Sequence, residues 1–140
     1  VSDAEIIRQC YIKWRDSCPL HIHGDYSFAV YNREEEEILL VRDHIGSRPL
    51  YWSKREDGFL FSTSLESLTA FDDLDWTIDE KVVAEFLACP IMPVSKPFFE
   101  HTHAVLPGGF LKIDKSGLSV ERWWKPATRP IKRLILRKDM

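Results

Sequence analysis

The run Arg42-Asp43-His44-Ile45-Gly46-Ser47-Arg48-Pro49 is wedged between two apolar strand patterns and constrains this chain more than any other stretch. Ahead of it, Tyr26, Phe28 and Val30 alternate with Ser27, Ala29 and Tyr31, the period-two signature of a strand. Both sets are largely apolar, so this strand is expected to be covered on two sides. Asn32 to Glu37 reads as a polar hairpin connection, its four glutamates a solvated turn. Ile38-Leu39-Leu40-Val41 is the returning strand. Beyond the run, Leu50 to Ser53 and Phe59 to Thr63 read as strands around the turn Arg55-Glu56-Asp57-Gly58. Within it, Gly46 permits a positive φ or a close backbone approach. Pro49 fixes φ where the chain re-enters the sheet. Arg42 and Asp43 leave the strand as an adjacent opposite-charge pair. A rigid polar loop at the end of central strands suits the wall of an active site. The competing reading is a structural turn in which Arg42 pairs a local carboxylate.

The flanks supply helices. Ser2-Asp3-Ala4-Glu5 is a capping box, and Ile6, Ile7, Cys10, Tyr11 and Trp14 follow at helical spacing until Pro19 closes the segment. Ser64 to Phe71 reads as a short helix. Thr77-Ile78-Asp79-Glu80 reads as a second capping box, opening a helix through Val82, Val83, Phe86 and Leu87 that ends by Pro90. After an irregular Pro-rich stretch from Pro90 to Phe99, strands resume at His103 to Leu106, Gly109 to Ile113 and Leu118 to Trp124. Pro107-Gly108 and Asp114-Lys115-Ser116-Gly117 form the turns between them. The layout is α+β with mainly antiparallel sheets.

With 140 residues the chain is one domain in size. A net charge of −3 gives no basic footprint for nucleic acid, and no apolar run approaches the ~20 residues that span a bilayer. Cys10, Cys18 and Cys89 have no metal-ligand spacing and fit reduced thiols in a cytoplasmic protein. Val1 stands directly before a helix start, and Lys132 to Met140 begins an amphipathic pattern without finishing it. Both ends read as cut, so a fragment is expected.

The segments Gly24-Asp25-Tyr26-Ser27-Phe28-Ala29-Val30-Tyr31 and Arg42-Asp43-His44-Ile45-Gly46-Ser47-Arg48-Pro49-Leu50-Tyr51 together resemble the class II glutamine amidotransferase domain. The nearest likeness is to glutamine-hydrolysing asparagine synthetases. Phe61 to Leu68, Ile78 to Leu87, Leu106-Pro107-Gly108-Gly109-Phe110-Leu111 and Arg122-Trp123-Trp124-Lys125-Pro126 are similar to later segments of that family, in family order. The resemblance implies an N-terminal nucleophile hydrolase-type, four-layer αββα sandwich, here incomplete and truncated at its N-terminus. It implies that residues 1–126 are the C-terminal portion of the glutaminase domain, with 127–140 a linker and the start of a synthetase domain.

It implies a chemistry as well. In the family an N-terminal cysteine thiolate attacks the glutamine side-chain amide, with its own α-amino group as base. An Asn-Gly segment stabilises the oxyanion. The released ammonia passes to a second domain that uses ATP and Mg to activate aspartate. Ser2-Asp3 matches the family's Ser-Asp element, whose aspartate binds the α-amino group of glutamine, so Asp3 is the candidate substrate-binding residue. Arg42, Asp43, Gly46, Arg48 and Pro49 form the signature loop, expected to shape the wall near the glutamine pocket. No cysteine stands at the N-terminus, so no catalytic residue is expected in this chain, and by itself it should be silent.

His44 is expected to pack within the loop. The pairs His21/His23 and His101/His103 have spacing that on a strand would place two rings on one face, but no metal site is assigned. Partners are expected to be glutamine and the chain's own synthetase domain, not nucleic acid or membrane. Unpaired strand edges and a bare apolar face should leave the chain weakly stable alone or paired with a second copy. Two alternatives stay open. One is a non-hydrolysing scaffold domain, as in β-lactam synthetase-like or peptide-cyclising ligases. The other is an amidophosphoribosyltransferase glutaminase domain, which Arg48-Pro49-Leu50 fits and the segments Ile78–Leu87 and Arg122–Pro126 oppose.

Overall fold

The computed structural model describes residues 1–71, 74–89 and 96–127. Helix α1 runs Asp3–Trp14 and opens where Ser2 accepts a bond from the Glu5 amide, as its capping pattern predicts. A 3-10 segment, Arg15–His21, follows and carries Pro19 inside it rather than stopping there. The strands are β1 (Ser27–Asn32), β2 (Glu37–Arg42), β3 (Tyr51–Lys54) and β4 (Phe59–Ser62). Helices α2 (Leu65–Leu68) and α3 (Glu80–Ala88) come next, then β5 (Thr102–Ala104), β6 (Gly109–Asp114) and β7 (Gly117–Arg122). The α3 cap is Asp79, whose carboxylate accepts from the Val82 amide. Thr77 is not the cap, because Asp75 takes both its amide and its hydroxyl. Helix α3 ends at Ala88, ahead of Pro90 as expected, while residues 90–95 and 128–140 lie outside the described residues, and with them most of the segment 127–140 read as a linker.

The strands form two antiparallel sheets, ordered β1-β2-β6-β7 and β4-β3-β5. One face of the four-stranded sheet carries Phe28, Leu39, Val41 and Phe110, which pack with Ile7, Cys10, Tyr11 and Trp14 of α1 and with buried Cys18. The opposite face carries Leu40 and Leu111, which meet Leu50, Trp52 and Val105 of the other sheet. Helix, sheet, sheet: three layers follow directly from the alternation of side chains along β2 and β6.

Two expectations fail here. Strand β1, the edge strand of its sheet, is covered on one face only: Ala29 is exposed, Tyr31 is 63% exposed, and no β1 side chain joins the cluster between the two sheets. The register carries that face across the sheet as a row from exposed Tyr31 through Ile38 and Ile113, both half-buried against the core between the sheets, to exposed Leu118. And Glu37 belongs to β2, not to the solvated turn. It is buried, accepts from the Tyr11 hydroxyl at 2.8 Å and pairs with the Lys112 ammonium at 2.7 Å. The turn is made by Asn32, whose side chain accepts from the Glu34 and Glu35 amides.

Candidate functional site

A cavity of about 580 Å³ opens between α1 and the loop after β2, lined by Asp3, Ile7, Asp25, Tyr26, Ser27, Arg48, Pro49 and Thr63. Four stretches of chain build it. Asp3 and Ile7 lie one turn apart on the same face of α1. Asp25 to Ser27 lead into β1, Arg48 and Pro49 come from the loop, and Thr63 follows β4. Asp3 occupies the first turn of α1, where the positive end of the helix dipole stabilises a carboxylate. It is exposed and has no hydrogen-bond partner among the described residues, so its oxygens are free to accept. The structure thus brings Asp3 together with Arg48 and Pro49 at one cavity, 45 residues apart in the chain.

The loop that supplies Arg48 and Pro49 is held by two buried charges. Arg42 is 5% exposed and Asp43 only 1%, yet among the described residues neither forms an ion pair, with the other or with any local charged side chain. Arg42 donates to three carbonyl oxygens, Gly46 at 2.7 Å, Arg48 at 2.9 Å and Val105 at 3.0 Å. The Asp43 carboxylate accepts from the amides of Ile45, Gly46, Ser47 and Arg48 at 2.8 to 3.2 Å. Burial by itself would raise the Asp43 pKa. The four amides outweigh it and hold the carboxyl below its ordinary value. For Arg42, burial pulls the guanidinium below its usual value, with Tyr51 and Asp43 opposing. The expected charge pair is therefore two separate clamps on backbone. Opposite charges that each satisfy peptide groups need not meet.

Gly46 has φ +74°, and a Cβ there would lie 2.9 Å from Pro107 Cγ and 3.0 Å from Arg42 Cζ. Both of the properties read from its sequence, positive φ and close approach, are in use. The loop is tied to the β5–β6 connection through the Gly108 amide, which donates to the Asp43 carbonyl at 2.7 Å. His44 reaches out of the loop and meets Trp123 and Trp124 edge-on at 4.6 and 5.3 Å. The other histidines do not share strand faces. His21 stacks on Trp14 from the 3-10 segment, His101 reaches Asp75, and His103 lies against Trp52.

None of the three thiols lines the cavity. Cys10 packs in the core, Cys89 is exposed after α3, and burial raises the Cys18 thiol to about 12, far from a reactive thiolate. Sequence reasoning missed Asp25, Ser27 and Thr63 as cavity residues. Asp25 sits in a Gly-Asp turn just ahead of β1, a local signal that reads equally well as turn chemistry. Its carboxylate accepts from the Ser47 hydroxyl at 3.1 Å. Among the described residues, no helix is long and apolar enough to cross a membrane.

The family of the glutamine amidotransferase domain matches residues 1–124. Among curated proteins, the chain is 27% identical over 124 residues to asparagine synthetase [glutamine-hydrolyzing] 3 of Bacillus subtilis, covering 88% of this chain and 20% of that protein. It is 22% identical over 131 residues to asparagine synthetase [glutamine-hydrolyzing] 1 of the same organism, covering 93% and 21%. The chain therefore spans about a fifth of the length of these relatives. Among solved structures, the glutamine phosphoribosylpyrophosphate amidotransferase from B. subtilis aligns with a TM-score of 0.57 at 20% identity, over 91% of this chain and 24% of that one. That likeness shows the fold, an incomplete α+β sandwich of the N-terminal nucleophile type. By residues 1–124, the chain belongs to the glutamine amidotransferase domain family.

Proposed function

We propose that the chain forms the substrate-facing C-terminal part, residues 1–126, of the glutaminase domain in an asparagine synthetase-like protein. The parent hydrolyses glutamine and passes ammonia to a ligase domain that makes asparagine from aspartate. In this reading ATP and Mg belong to that second domain, for which 127–140 is the approach, and the setting is the cytoplasm. The observation that carries the proposal is the cavity beside Asp3. It joins carboxylates to a guanidinium, the charge complement of an amino-acid zwitterion.

Asp3 holds the α-ammonium group of glutamine, and the loop wall Arg48–Pro49 closes the cavity opposite it. The nucleophile comes from outside these 140 residues, since no thiol of theirs lines the cavity. Replacing Asp3→Asn in the full-length protein removes a charge-assisted bond of about 1.5–3 kcal/mol. The KM for glutamine is expected to rise about tenfold or more. Activity fed with external ammonia bypasses the cavity and should stay unchanged. An unaltered KM would sink the assignment. The 140-residue chain alone is expected to release no ammonia from glutamine above background. If the full-length protein releases none either, the domain is a non-hydrolysing scaffold.

A further inference from the structure

We propose that Arg42 is a positioning residue for glutamine: it does not line the cavity, yet it sets the place of the Arg48–Pro49 wall. This rests on the glutamine reading above. The argument begins with the cost of a buried cation. A guanidinium 5% exposed with no carboxylate partner is no more stabilising than an apolar side chain of its size. What it adds is direction, because a planar fork with five donors holds several acceptors in a defined geometry.

Its three acceptors come from three places. Gly46 and Arg48 belong to the loop, and Val105 lies just after β5. Arg42 therefore bolts the two ends of the loop to each other and to the neighbouring sheet. The Arg48 carbonyl it holds is the peptide group joining Arg48 to Pro49, the two loop residues that line the cavity. The next carbonyl, that of Pro49, accepts from the Ser27 hydroxyl at 3.3 Å. Consecutive peptide groups of the wall are thus held from two sides.

The packing leaves no slack. Arg42 Cζ and Pro107 Cγ both stand within about a methyl's reach of Gly46, so the guanidinium cannot shift toward the loop. The Asp43 carboxylate completes the arrangement by taking the amides of Ser47 and Arg48. A displacement of the wall of roughly an ångström is enough to spoil a bound geometry.

The test compares two substitutions in the full-length protein. Arg42→Lys keeps the charge and loses the fork, and Gly46→Ala drives a methyl into the guanidinium. Both are expected to raise the KM for glutamine at least fivefold while ammonia-fed activity stays within twofold. Val82→Ala, which opens a cavity under α3 far along the chain, serves as the control for stability loss and should leave KM alone. An unchanged KM in folded Arg42→Lys and Gly46→Ala overturns the proposal.

A second arm needs no glutamine. In the unaltered full-length protein, the Ser47 and Arg48 amides should exchange with solvent at least tenfold more slowly than the Arg33 and Glu36 amides of the exposed hairpin. In Arg42→Lys that protection should fall. Rapid exchange in the unaltered protein, or protection that survives the substitution, refutes the positioning role. The arms separate the two ideas. If Asp3→Asn leaves KM unchanged, the glutamine reading fails while the exchange data still decide whether Arg42 sets the wall.

Discussion

Among the described residues, charge is buried in two places and in opposite ways. At the Arg42–Asp43 loop, both charges are spent on backbone, three carbonyls on one and four amides on the other. Between α1 and the four-stranded sheet, charges are spent on side chains. Lys112 pairs with Glu37 at 2.7 Å and with Asp16 at 2.9 Å, and Glu37 also accepts from Tyr11. The first arrangement specifies a backbone shape that local propensity would not choose. The second fastens a helix and its 3-10 extension to a sheet whose strands are already regular. Clamped backbone belongs to a site, and paired side chains belong to a scaffold.

The contrast breaks first at Asp43. Replacing Asp43→Asn leaves one acceptor oxygen where two served four amides, and turns an NH2 group toward the rest. A loss of about 3 kcal/mol is expected, from two charge-assisted bonds at about 1.5 kcal/mol or more each. Urea unfolding measures it, and a change under 1 kcal/mol would show the cradle to be dispensable.

Lys112→Met tests the other tie. It leaves Glu37 nearly buried without its cation, but the Tyr11 bond remains and the site is partly open to water. About 1–2 kcal/mol is expected, below the value for a fully buried pair. If it exceeds the Asp43 effect, the ranking of the two regions is reversed.

The smallest difference concerns pH, and it follows Asp43 in one region and Lys112 in the other. Asp43 has a depressed folded pKa, so its contribution is present above the ordinary carboxylate value near 3.8 and is lost as pH falls through the lower folded value. Lys112 has a raised folded pKa, chiefly from its bonds to Glu37 and then Asp16. Its contribution is complete below the ordinary value near 10.5 and is lost as pH rises through the higher folded value. In unfolding curves, Asp43→Asn should flatten the acid limb and Lys112→Met the alkaline one. The opposite assignment would mean that other groups dominate both limbs.

Much of this fold was legible because its signals are local. Ser2 caps α1 through a bond three residues away, and the apolar alternation in β1 and β2 locates both sheet faces. The errors have non-local causes. Glu37 looks like the last of four hairpin glutamates until Lys112, 75 positions later, is placed beside it. Thr77 looks like a cap because Asp75 and Asp79 compete for roles that only the folded turn assigns. Tyr31 looks like a core residue because nothing in β1 reveals that the cluster between the two sheets stops short of it.

The candidate site divides along the same line. Asp3, Gly46, Arg48 and Pro49 are named by the family resemblance, and for Gly46 and Pro49 local conformational demands point the same way. By itself the sequence determined the strands, the caps of α1, the antiparallel layers and the family resemblance. Only the tertiary structure decided that Arg42 and Asp43 work apart, and that Asp25, Ser27 and Thr63 share a cavity with Asp3. Partners of a buried charge are chosen by which peptide groups the fold leaves unsatisfied nearby, and no short-range pattern encodes that.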